Sequence, residues 1–147
     1  RKLLGSTEAR LSPESIWKAR QELWAPSLNP VVIGKVCVLP AKTATIFGVL
    51  GKLVESNRLN WHMVMQATGI GTLSLEGGAD QLSITVKKFR ADVEGDGGSF
   101  VILRRPKELE FMDAWGNPGD AVGLMRAVKR ELDPKSTLNP GRFVAGI

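Results

Sequence analysis

Residues Val31 to Leu39, VVIGKVCVL, limit the fold more than any other stretch. The run is β-branched and nearly all apolar, which predicts a central strand, and Pro40 closes it. Thr43 or Thr45 caps a following helix in which Ile46, Phe47, Leu50, Leu53 and Val54 share one face, and Asn57 ends it. Trp61 to Gln66 reads as a strand. Thr68 to Thr72 interrupts it and Leu73 to Leu75 resumes it. That stretch is either two antiparallel strands joined by a glycine-rich hairpin or one long strand with a bulge. Gly77-Gly78 turns the chain, and Asp80 caps or begins a helix whose apolar positions are Leu82, Ile84, Val86, Phe89 and Val93. Gly95 to Gly98 breaks it, Ser99 to Leu103 is the last strong strand, and Pro106 ends that strand. The order is strand, helix, strand, strand, helix, strand. It is the order of the split βαβ motif, so the expected class is α+β: a ferredoxin-like antiparallel sheet with two helices on one face. The other face is expected to be free to cover a partner.

Two flanks extend this unit. Ser12-Pro13-Glu14-Ser15 marks a helix start, with Ser12 as cap and Pro13 at the first helical position. Ile16, Trp17, Arg20, Leu23 and Trp24 come next at helical spacing until Pro26, as a linker helix or a strap across a sheet. At the other end, Trp115-Gly116-Asn117-Pro118-Gly119 is a turn cluster, and Asp120 to Leu132 is a final amphipathic helix. The tail Leu132 to Phe143, LDPKSTLNPGRF, comes after it. Pro134 stops the helix, and Asn139-Pro140-Gly141 makes a tight turn in which Gly141 takes a positive φ. The turn presents one cation, Arg142, beside an apolar anchor, Phe143. The tail either docks on something else or tethers the chain to its own domain. The expected division is 1–30 as linker and strap helix and 31–147 as one domain.

Several function classes are excluded by what the chain lacks. It has one histidine, His62, and one cysteine, Cys37, so it forms no internal disulfide and no multi-imidazole metal site. The net charge is +5, but acids sit near basic pairs such as Lys87-Lys88 and Arg104-Arg105, and tyrosine is absent. No basic stripe interleaved with aromatics is available to nucleic acid. No apolar run approaches the ~18 residues that span a bilayer. Gly69-x-Gly71 lacks the third glycine and the following helix of a dinucleotide loop, and there is no GxxxxGK[ST] phosphate loop. No catalytic triad or carboxylate pair is arguable, so no residue is assigned as catalytic. Arg104 and Arg105 end the last strand, where a guanidinium fork suits a substrate carboxylate. The alternative for both is a solvated strand end.

The runs Gly119-Asp120-Ala121, Leu124-Met125-Arg126 and Leu132 to Phe143 resemble the end of FAD-linked oxidases of the vanillyl-alcohol oxidase type. In that family a helix leads into a D-P-x-x-x-L-N-P-G-[RK] tail. Gly98 to Arg104 and Trp115 to Ala121 are most similar to the E-subunit family of bacterial glycolate oxidase (glycolate dehydrogenase). The resemblance implies that 31–147 is a C-terminal cap domain laid over FAD, with the FAD-binding domain upstream of Arg1. A start without methionine agrees with processing or with a piece of a longer protein. It implies a tail near the flavin, with Asn139, Gly141 and Arg142 as cofactor-binding positions, and an enzyme that oxidises a small 2-hydroxy acid such as glycolate. The expected partners are the FAD-binding domain and other glycolate oxidase subunits, in the cytoplasm or at the inner membrane through a complex. The paired metal-binding histidines of several relatives are missing. The chain alone is expected to be inactive, and a non-catalytic subunit-assembly module is the competing reading.

Overall fold

The computed structural model describes residues 14–147; Ser12 and Pro13, assigned to the first helix start, lie outside them. The elements in chain order are α1 (Glu14–Glu22), β1 (Val31–Cys37), α2 (Thr43–Ser56), β2 (Asn60–Met65), β3 (Ile70–Glu76), α3 (Ala79–Gly95), β4 (Ser99–Arg104) and α4 (Ala121–Leu132). The strands form one sheet in the order β2-β3-β1-β4, and every neighbouring pair is antiparallel. This is the ferredoxin-like α+β arrangement, with the apolar run at Val31 as an inner strand.

Alternation of side chains along each strand gives the sheet two unlike faces. The registers align Trp61 with Leu75 and Val32, then Met63 with Leu73, Gly34 and Ile102, then Met65 with Gly71, Val36 and Phe100. These rows face α2 and α3. Ile46, Leu50, Leu53 and Val54 of α2, and Leu82, Val86, Phe89 and Val93 of α3, bury against them in one cluster. Phe89 meets Phe100 edge to face, with ring centroids 5.3 Å apart. Gly34 interrupts the β-branched run because the Phe100 ring occupies the place of its side chain: a Cβ there would lie 2.3 Å from the ring. Ile84, assigned to the apolar face of α3, points outward and is exposed. It falls off the stripe that Leu82, Val86, Phe89 and Val93 make at helical period.

The opposite face carries Asn60, Glu76 and Val31 in one row, His62, Ser74, Ile33 and Arg104 in the next, and Val64, Thr72, Lys35 and Val101 in a third. A register shift between Ile33 and Gly34 leaves Leu103 as the extra residue of β4 and brings Arg104 opposite Ile33. This face is not wholly free, contrary to the expectation from sequence. Residues of α1 and the turn after it form clefts with it, Leu23 is buried, and Ile33 at its centre is fully buried. The physical reason is that Val31, Ile33, Val64 and Val101 give this face an apolar middle, which gains by cover from the nearest amphipathic helix.

The hairpin between β2 and β3 is a short loop, which decides against one bulged strand. Gly69 N–H donates to Gln66 O at 3.0 Å, Gln66 N–H donates to Ile70 O at 2.8 Å, and Gly69 has φ of 83°. Beyond β4 the chain folds back along the sheet edge, where Ile102 N–H donates to Ala114 O at 2.7 Å. Arg90 of α3 fixes this segment. Its guanidinium donates to the carbonyls of Phe100 (3.1 Å), Asp113 (2.7 Å) and Ala114 (3.2 Å). Burial pulls the Arg90 pKa below the usual arginine value, while Asp113 and Glu94 pull it back. Glu94 also accepts the Asn117 N–H at 2.9 Å. The turn cluster at Trp115 is thereby held on α3, where it serves as the platform for the C-terminal tail.

Candidate functional site

The tail is tied by one carboxylate. Asp133 directly succeeds α4 and is only 6% exposed. It accepts Lys129 Nζ (2.6 Å), Thr137 N–H (2.9 Å), Thr137 Oγ1 (2.9 Å) and Leu138 N–H (2.9 Å). Lys129 Nζ also donates to Leu138 O at 2.6 Å, so one ion pair closes the loop at both ends. These donors hold the Asp133 carboxyl far below the usual carboxylate range, the Lys129 ammonium first and the Leu138 and Thr137 amides after it. Pro134 stops the helix, Ser136 N–H then donates to the Asp133 backbone carbonyl at 3.0 Å, and this turn brings the Thr137 and Leu138 amides onto the carboxylate.

The knot sets the turn that carries the sequence-assigned residues. Asn139 has φ of 45° and Gly141 φ of 72°, and Arg142 N–H donates to Asn139 O at 3.2 Å. Phe143 then stacks edge to face on Trp115, with centroids 5.0 Å apart. The tail is anchored on its own domain through Phe143, while Asn139, Gly141 and Arg142 stay exposed. Asn139 and Arg142 line a groove of about 450 Å3 with Lys129, Leu138, Phe143 and Ile147. Gly141 lines a neighbouring groove of about 590 Å3 with Arg126, Lys129 and Arg130 of α4. Amide and cationic donors beside apolar walls are a donor set that fits an electron-rich, anionic ring edge.

Helix α4 has no buried residue. Leu124, Val128 and Leu132 lie on one side of it, 71%, 48% and 77% exposed, and continue into Leu138 and Phe143. They line an apolar groove of about 450 Å3. A contiguous uncovered patch of this kind marks an interaction surface.

Arg104 and Arg105 part company. Arg104 is exposed on the sheet face that α1 partly covers, in the row of His62, Ser74 and Ile33. Arg105 is turned the other way and donates to the Met112 carbonyl, which gives it a structural partner. Neither lines the grooves beside the tail. His62 lies on the same sheet face, in a cleft of about 310 Å3 with Glu22, Ser74 and Glu76. Asn29 donates to the Glu76 carboxylate at 2.7 Å and lowers its pKa, with Ser27 acting the same way. Among the described residues no group of three or more His, Cys, Asp and Glu is placed to hold a metal, and no helix is long and apolar enough to cross a membrane.

The knot, the exposed turn and the uncovered helix coincide with a similarity to a known family. Residues 107–143 match the model of FAD linked oxidases, C-terminal domain. No curated protein and no solved structure matches the chain. The matched segment runs from just after β4 through Phe143, so it takes in α4 and the whole Asp133 loop. Asn139, Gly141 and Arg142, singled out in the sequence, lie within the matched segment on the exposed turn, and Asp133, which ties that turn, was not singled out. The available signal was an Asp at the end of a helical run with Thr137 four residues on, a spacing suited to a side chain that captures backbone amides.

Proposed function

We propose that this chain is the C-terminal cap of an FAD-dependent oxidoreductase that oxidises a small 2-hydroxy acid such as glycolate, working within a multi-subunit glycolate oxidase. The reading rests on one observation: the segment similar to FAD-linked oxidases contains α4 and the tail turn, whose apolar and polar surface the rest of the described chain leaves uncovered. In this reading an FAD-binding domain upstream holds the cofactor and packs on the α4 side. FAD would accept a hydride from the alcohol carbon and supply the redox chemistry. Asn139 and the backbone at Gly141 position the tail turn, and Arg142 offsets negative charge on the reduced ring or on the substrate. Arg104 offers a second cation from the sheet. Arg105 contributes by holding the strand end.

The test is substrate-dependent bleaching. The protein expressed with its natural upstream sequence is mixed anaerobically with glycolate, and loss of flavin absorbance is monitored. Bleaching is expected, with Arg142→Ala slowing it by about ten-fold or more, the weight of one lost charge-assisted contact. The 147-residue chain alone is expected to give no turnover. Turnover by the isolated chain would overturn the reading. The apolar groove on α4 favours a second reading, a non-catalytic module that assembles subunits. A flavoprotein indifferent to glycolate and to other 2-hydroxy acids, yet co-purifying with a catalytic subunit, would favour it.

A further inference from the structure

The two edges of the sheet are treated differently. At β4 the returning chain supplies partners: Ile102 N–H donates to Ala114 O at 2.7 Å, and the Phe100 carbonyl accepts Arg90 Nε at 3.1 Å. β2 is the outermost strand on the other side. The hairpin fixes which of its backbone groups face inward. Gln66 N–H donates to Ile70 O, and hydrogen-bonded pairs of an antiparallel ladder recur at every second residue. Val64, His62 and Asn60 therefore bond inward to Thr72, Ser74 and Glu76. Trp61, Met63 and Met65 direct their N–H and C=O groups outward, and among the described residues nothing bonds to them. We propose that this edge pairs with its own counterpart in a second copy of the chain, antiparallel about a two-fold axis at Met63, to make one continuous sheet. The inference stands apart from the flavin reading.

The strand lacks the devices that keep an edge from pairing. NWHMVM contains no Lys, Arg, Asp, Glu or Pro, and it runs against β3 without a register shift. Its outward groups are self-complementary. With Met63 opposite Met63 of the second copy, Trp61 falls opposite Met65, and each outward N–H meets an outward C=O. The side chains agree with this register. On the helix side, Trp61, Met63 and Met65 pack against the core yet stay partly exposed, and Phe47 lies against Trp61 with ring centroids 6.3 Å apart. The chain leaves this rim of its core open. A second copy covers it and sets a Met65 thioether against each Trp61 ring, a favourable contact. On the other face, His62 falls opposite Val64 and Asn60 opposite Gln66, so no like charges oppose each other across the axis. A charge at Met63 would face itself there, and the residue is neutral. The contact is short, so a dissociation constant on the order of 10–100 µM is expected.

The experiment is sedimentation equilibrium of the 147-residue chain over about 5–500 µM, a range that brackets the expected constant. A monomer–dimer equilibrium is expected. In a mixture of isotope-labelled and unlabelled chain, an intermolecular NOE from the Trp61 ring to the Met65 methyl is expected as well. Met63→Pro removes the outward N–H at the axis from both copies, and with it both central bonds, while the inward ladder of β2 keeps its donors. It is expected to weaken the dimer by about ten-fold or more. Met63→Lys opposes two ammonium groups at the axis and tests the same contact if the proline variant does not fold. A chain that stays monomeric at the highest concentration, a dimer without the Trp61–Met65 NOE, or an affinity unchanged in whichever variant folds would each overturn the proposal. So would concentration-dependent amide shifts on α4 in place of β2.

Discussion

Replacing Asp133 with alanine is expected to release the tail while leaving the sheet folded. Four donors lose their acceptor at once: Lys129 Nζ, the Thr137 amide and hydroxyl, and the Leu138 amide. What remains is the Lys129 Nζ bond to Leu138 O at 2.6 Å, the Ser136 N–H bond to the Asp133 backbone carbonyl at 3.0 Å and the stacking of Phe143 on Trp115, and none of them supplies an acceptor for the Thr137 and Leu138 amides. The Thr137 and Leu138 amides should exchange at rates within about ten-fold of an unstructured chain, while β1 and β3 amides keep their protection. Asp133→Asn keeps the shape but loses the ion pair with Lys129, and should fall between. The pH dependence has a definite sign. The folded-state pKa lies below the unfolded value, so the knot contributes fully above the ordinary carboxylate range, about pH 4. It is lost only as the pH falls through the depressed folded value. Tail amides that stay protected at pH 5 and open in stronger acid fit this. Opening near pH 6 would not, since no carboxylate held so low titrates there.

The largest loss of global stability is expected from Gly69→Ala. Gly69 sits at φ of 83°, a left-handed conformation that costs an L-residue about 1–2 kcal/mol. The added methyl would also lie 2.0 Å from the Val38 carbonyl oxygen, which is backbone and has little room to yield. Moving it strains the bond from Val38 N–H to Gly69 O, 2.9 Å long, which ties the hairpin to the end of β1. Together these predict a loss of about 3–5 kcal/mol, a large share of the roughly 5–15 kcal/mol that holds a typical domain together. Urea denaturation should show a lower midpoint with an unchanged slope. A change below about 1 kcal/mol would mean that the turn is not built as described. Gly34→Ala should be milder, because the Phe100 ring that fills its space is a side chain and not backbone.

Which parts of this were legible in the sequence depends on the range of the forces involved. β1, β4, α2 and the ending of α4 are written locally, as β-branched runs, a helical stripe and proline or glycine breaks at their ends. The split βαβ order comes directly from them. Ile84 misled because a single apolar residue beside a stripe looks like part of it until the packing partner is known. The cover of the sheet by α1 was legible only as one of two alternatives, a linker or a strap, since a short amphipathic helix does not specify which face receives it. The two tail alternatives, docking or tethering, meet in one segment: Phe143 is the tether, and Asn139, Gly141 and Arg142 are the presented turn. The Asp133 knot was hidden behind its proline, which drew attention to the helix stop and away from the carboxylate.

The visible absorption spectrum of the protein purified with its natural upstream sequence tests the central claim most directly. The account predicts a yellow flavoprotein that loses its colour on gel filtration when the tail is untied by Asp133→Ala. A well-folded, colourless protein that takes up no added FAD would contradict it.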